Sequence, residues 1–170
     1  MPLPRWLPRS LILVGSILLL PAALHAQAAP PHATQYWLSA GAGIGVIGTS
    51  GTWKGATGTA TSLGLTVQRH AFVTSVRWVR ASDTPLAAWH LAAMAGLGTS
   101  PRFPLRGSLA AGLGVAGRSD DGAHLTLPLE LQLGWRVAPG IGVGVVGFAH
   151  LGGPTTTLGA AFGLQLGRLR

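Results

Sequence analysis

The sequence predicts an all-β chain: an eight-stranded antiparallel transmembrane β-barrel with short loops. Three observations lead there. From Leu125 to Val137 the chain reads LTLPLELQLGWRV. Leu125, Leu127, Leu129, Leu131, Leu133, Trp135 and Val137 alternate with Thr126, Pro128, Glu130, Gln132, Gly134 and Arg136. A strict period of two places the two sets on opposite faces of a strand, and the run exceeds the about 5–6 residues of a typical soluble strand. The same alternation recurs in an even number of segments, each near the ~9–11 residues that a tilted membrane strand requires. Charged residues form only 9% of the chain, against about 25% in a typical soluble domain, so much of the surface faces something other than water.

The N-terminus reads as a secretory signal peptide over residues 1–26. Arg5 and Arg9 supply its positive end, Leu11 to Leu20 its apolar stretch, and Pro21 breaks that stretch. The stretch is shorter than the ~20 residues of a spanning helix. Small residues follow at Ala22, Ala23, Ala26 and Ala28; cleavage after Ala26 or after Ala28 fits, and Ala26 is preferred. A short linker, 27–34, carries Pro30 and Pro31, and the barrel domain is expected over 35–170. The chain has no cysteine, which excludes a lipobox, a disulfide, a thiolate metal site and a Cys nucleophile.

The remaining strands follow in order. Tyr36 to Gly48 sets Tyr36, Leu38, Ala40, Ala42, Ile44 and Val46 outward against Trp37, Ser39, three glycines and Ile47. In Thr57 to Gln68, Thr61, Leu63, Leu65 and Val67 oppose Ser62, Gly64, Thr66 and Gln68. Ala71 to Arg80 sets Phe72, Val76 and Trp78 against Val73, Ser75, Arg77 and Val79. The fourth opposes Trp89, Leu91 and Leu97 to His90, Ala92 and Met94. The fifth, Leu105 to Gly117, opposes Leu105, Leu109, Leu113 and Val115 to Arg106, Ser108 and Ala110. The leucine run is the sixth. The seventh turns Ile141, Val143 and Val145 outward and Val146 and Phe148 inward; the eighth turns Leu158, Phe162, Leu164 and Leu166 outward and Ala161 and Gln165 inward. Turn chemistry separates them at Thr49–Gly55, Arg69–His70, Ser82–Pro85, Thr99–Pro104, Ser119–Gly122, Pro139–Gly140 and Gly152–Thr155. With a periplasmic N-terminus, the first, third, fifth and seventh of these face outward from the cell. Helices crossing the inner membrane are the rival architecture, opposed by Pro139, Gly152, Gly153, Pro154 and the period of the leucines.

This pattern resembles the small eight-stranded outer-membrane barrels of the OmpA/OmpX type. The resemblance covers Tyr36 to Arg170 and rests on strand patterning rather than on a motif. It implies the outer membrane of a Gram-negative-type cell, contact with outer-membrane lipids, dependence on the outer-membrane assembly machinery, and a monomer. One departure is the ending Leu169–Arg170, where such barrels commonly carry an aromatic residue.

The formal net charge is +8. Its cations are scattered singly and without aromatic interleaving, so nucleic acid is not expected as a partner. Glu130 is the one carboxylate outside a predicted turn, inward and at mid-strand. An isolated charge there is expensive, and Arg77 is the inward cation at matching depth. If the third and fourth strands pair about Ser82–Pro85, His90 falls opposite Arg77. The expected lumen network is therefore Arg77, His90 and Glu130, while Arg106 and Arg136 form a positive periplasmic mouth that anions could neutralise.

Catalysis is not expected. His124 and Thr126 come nearest to a hydrolytic arrangement, at the outer rim, but no inward Ser stands beside them, and Asp120 and Asp121 are solvated. His150 is expected in a rim loop; paired with His124 it lacks a carboxylate for a metal site. Neither metal nor cofactor is expected. The glycine runs from Gly41 and from Gly140 lack the context of phosphate loops. The expected role is structural or surface-interactive with a filled lumen. The alternatives are a narrow pore for small solutes or anions, a lipid-modifying enzyme, and a periplasmic lipid carrier, which would need a wide apolar interior.

Overall fold

The computed structural model describes residues 34–49, 52–82, 87–99, 105–118, 122–152 and 155–169. The expected signal peptide lies outside these residues. So does the expected linker, except that its last residue, Thr34, already opens the first strand. Eight strands follow in chain order: β1 (Thr34–Thr49), β2 (Thr52–Arg69), β3 (Phe72–Ser82), β4 (Ala87–Gly98), β5 (Leu105–Arg118), β6 (His124–Ala138), β7 (Ile141–Leu151) and β8 (Thr155–Arg168). Each pairs antiparallel with the next, and β8 returns to β1 from Tyr36↔Arg168 to Thr49↔Thr155. The sheet is a closed barrel, so no strand edge is left along the wall.

The alternation read from the sequence becomes the wall. In β3 and β6 exposed and buried residues alternate almost without exception. Leu127, Leu129, Leu131 and Leu133 are 39–49% exposed while Glu130 and Gln132 are nearly inaccessible. The exterior is an apolar belt, and Tyr36, Phe72 and Trp135 edge it at the rim that carries both ends of the barrel chain. Trp78 and Trp89 edge it toward the opposite rim. These are the aromatic girdles of a membrane barrel.

Tight turns close the terminal rim. Pro139–Gly140 joins β6 to β7, with Gly140 at φ 80. A Pro with its fixed φ followed by a Gly at positive φ suits a type II turn. His70 occupies the left-handed region at φ 58 between β2 and β3, and Gln68 Nε2 ties that turn down by donating to the carbonyls of His70 (2.8 Å) and Thr99 (2.7 Å).

Three local expectations are corrected. β2 begins at Thr52, not Thr57, because the β1–β2 hairpin continues its pairing to Thr49↔Thr52 beyond the belt, where no lipid imposes alternation. β3 first meets β2 at Thr59↔Ser82, whereas the pairing of β2 with β1 runs on to Thr52. Second, β3 and β4 pair as Ser82↔Ala87, which centres the hairpin one residue later than Ser82–Pro85 and sets His90 opposite Val79 and Arg77 opposite Ala92. Third, β7 runs on to Leu151, so His150 lies in the wall rather than in a loop. Pro128 also stands inside β6, where it lacks an N–H to donate. The β5–β6 ladder breaks between Ala111↔Leu129 and Gly114↔Thr126 and resumes in the same register.

Candidate functional site

The inward faces meet across the lumen in three layers, and the contacts join strands two to four steps apart around the ring. The middle layer holds the buried charge. Arg77 on β3 and Glu130 on β6 are 1% and 2% exposed and form a salt bridge. Arg77 Nε donates to one carboxylate oxygen and Arg77 Nη2 to the other, at 3.3 Å. Gln132 Nε2 donates to the same carboxylate and reaches Thr66 Oγ1 on β2 at 3.4 Å. Arg77 Nη1 donates to Ser39 Oγ on β1 at 3.2 Å, and that hydroxyl donates in turn to the Gly64 carbonyl. The layer therefore ties β1, β2, β3 and β6 into one network. Both charges are paired and hydrogen-bonded, the condition under which buried ions are tolerated.

Gly64 makes the room. A Cβ built there would lie 2.8 Å from Arg77 Cζ and 2.8 Å from Nη1. The guanidinium thus occupies, beside Gly64, space that the Cβ of any other residue would fill. An eight-stranded barrel has little interior volume, and small residues opposite long ones are how this one accommodates an arginine.

The layer toward the opposite rim is built on histidine. His90 on β4 stacks on His150 on β7, with ring centroids 4.2 Å apart and planes 24° from parallel. His90 Nε2 contacts Thr157 Oγ1 on β8 at 2.9 Å, and Phe148 tilts against His150 at 5.9 Å. His90 is thus in the lumen as expected but in a different layer from Arg77 and Glu130, because the shifted hairpin lifts it by one pleat period. His150 and Thr157 were not anticipated as its partners. His124 does not bond Thr126: both ring nitrogens and the Thr126 hydroxyl are without hydrogen-bond partners. Among the described residues no cluster of His, Asp or Glu is arranged to hold a metal.

The layer at the terminal rim is built on Arg106. Its side chain is buried at 5% exposure, with Cζ 4.9 Å from the centroid of the Trp37 ring. Nη1 donates to Gln35 Oε1 at 3.3 Å and Nη2 to Gln165 Oε1 at 3.0 Å. Arg136 stands on the same face: Arg106 pairs with Gly134, two residues before it, and the two charges repel. Arg136 is exposed at the mouth while Arg106 is drawn inside.

A closed eight-stranded barrel with an apolar belt outside and a polar, filled interior is an outer-membrane β-barrel, and its place is the outer membrane of a Gram-negative-type cell. No family model matches the sequence, and no curated protein matches it. Solved structures do. The chain is similar to Neisserial surface protein A, with a TM-score of 0.62 and 14% identity over 79% of this chain and 99% of that one. It is also similar to Ail, the attachment invasion locus protein of Yersinia pestis, with a TM-score of 0.54 and 12% identity over 79% of this chain and 99% of Ail.

Proposed function

We propose that this protein is a non-conducting, non-enzymatic outer-membrane barrel whose role is structural or surface-interactive, exercised as a monomer among outer-membrane lipids after insertion by the assembly machinery. The observation that carries the reading is the Arg77–Glu130 bridge. It runs across the lumen at mid-height, is almost fully buried, and is braced by Ser39 and Gln132. A conducting path would have to break it. The His90–His150 stack and the Arg106–Gln165 contact obstruct the lumen above and below. The polar lining also suits no lipid carrier. Surface contact as the role is supported by the likeness in fold to Ail, an attachment protein by name.

The test is conductance. Wild-type protein in planar bilayers should be silent. Steady channels from the wild type would replace the sealed barrel with a narrow pore.

A further inference from the structure

Beside Arg106 lies a small cleft, partly open, lined by Trp37, Gln68, Arg106, Ser108, Gln132 and Gln165. Its free space takes about one water-sized occupant. Two buried donors on this lining have no acceptor: Arg106 Nε–H and Trp37 Nε1–H. Their side chains are 5% and 4% exposed, so bulk water does not satisfy them. Donors this buried are ordinarily paired, and a buried guanidinium is ordinarily neutralised.

Among the described residues no carboxylate neutralises Arg106. Glu130 is the only carboxylate side chain among the described residues, and Arg77 and Gln132 occupy it. The neighbours of Arg106 are neutral amides and an indole face, and Arg136 adds a second positive charge at the mouth. One lining group opposes an anion, the unpartnered Gln132 Oε1. Against it stand a whole positive charge, a second one nearby, and two N–H groups without acceptors. We propose that this cavity binds a single small inorganic anion of chloride size, held by Arg106 Nε–H and Trp37 Nε1–H.

The site does not depend on whether the lumen conducts, so its test is one of binding. A ligand that binds only the folded barrel raises its stability in proportion to occupancy. Urea unfolding from lipid vesicles is measured in sodium chloride and in sodium gluconate at equal ionic strength, since gluconate is too large for the cavity. The wild-type midpoint should be higher in chloride. Trp37→Phe keeps an aromatic face and removes one donor, and should lose at least half of that difference; Arg106→Gln should lose all of it. Wild-type crystals soaked in sodium bromide supply a readout that needs no variant to fold, and should show an anomalous peak in the cavity. Equal wild-type midpoints in the two salts, an undiminished chloride response in Trp37→Phe, or no bromide peak would each overturn the proposal and leave a buried water as the occupant.

Discussion

Removing one partner of the Arg77–Glu130 bridge should cost far more than the bridge itself is worth. The carboxylate accepts from Arg77 Nε, Arg77 Nη2 and Gln132 Nε2. Arg77→Met leaves it with the Gln132 amide alone, as an anion at 2% exposure. Glu130→Gln leaves the guanidinium, at 1% exposure, with an amide oxygen and the Ser39 hydroxyl. Breaking a buried pair in this way typically costs about 3–5 kcal/mol, most of it the penalty of the stranded charge. The double variant strands nothing. It should therefore fall well short of the sum of the single changes, with a coupling energy of about 2–3 kcal/mol, at the upper end for contacting residues. The assay is urea unfolding from lipid vesicles, followed by tryptophan fluorescence and by the gel mobility of the folded barrel. Single effects that add to within about 0.5 kcal/mol would show that the two residues act independently, and would refute the bridge as the brace of the lumen.

The other predictions are local. Gly64→Ala should cost about 1–3 kcal/mol by overpacking, because the new Cβ would meet the Arg77 guanidinium at 2.8 Å; in an Arg77→Met background the cost should vanish, and a persisting cost would place the strain elsewhere. Leu131→Arg, in the middle of the lipid face of β6, should destabilise by about 2–4 kcal/mol, whereas Leu125→Arg near the opposite rim should cost about 0–1 kcal/mol; equal losses would mean that the belt is misplaced. His70→Gly should raise the unfolding midpoint slightly, since a side chain at φ 58 carries strain that glycine does not; a lower midpoint would show that the imidazole contributes more than the strain removes. N-terminal sequencing of protein extracted from outer membranes should begin at Gln27 or within a few residues of it, and recovery of Met1 would exclude the signal peptide.

The wall was legible because lipid selects it one residue at a time. At Leu127, Leu129, Leu131 and Leu133 every second side chain must be apolar whatever the neighbouring strand carries, so the period survives in the sequence. Legibility ends where the lipid ends. Residues 52–56 belong to β2, and the partners given to them, at Thr52 and Ala56, are on β1. Beyond the belt a strand needs backbone partners and no apolar face, and Thr52, Trp53, Lys54, Gly55 and Ala56 carry no alternation from which a strand could be read.

The interior follows a different rule, and the bridge and the histidines show why. Arg77 and Glu130 could be matched from sequence by scarcity: one inward carboxylate at mid-height must find a cation, and one was available at that depth. His90 had no such constraint, so its placement depended on where the β3–β4 hairpin turns. Moving the hairpin centre by one residue shifts the partner of Arg77 from His90 to Ala92. It carries His90 about 7 Å along the barrel, two residues of strand, out of reach of the bridge and into contact with His150 and Thr157. His150 was hidden by a strand end read too early, since β7 continues past it to Leu151. Neither partner is a strand neighbour of His90: β7 and β8 lie three and four steps around the ring from β4. Which inward residues face each other at that separation depends on strand tilt and on the stagger accumulated over all the registers at closure. A period of two is a property of one strand, but a cross-lumen contact is a property of the closed ring. A single-residue uncertainty in one turn leaves the wall intact and reassigns the layer in which a lumen side chain acts.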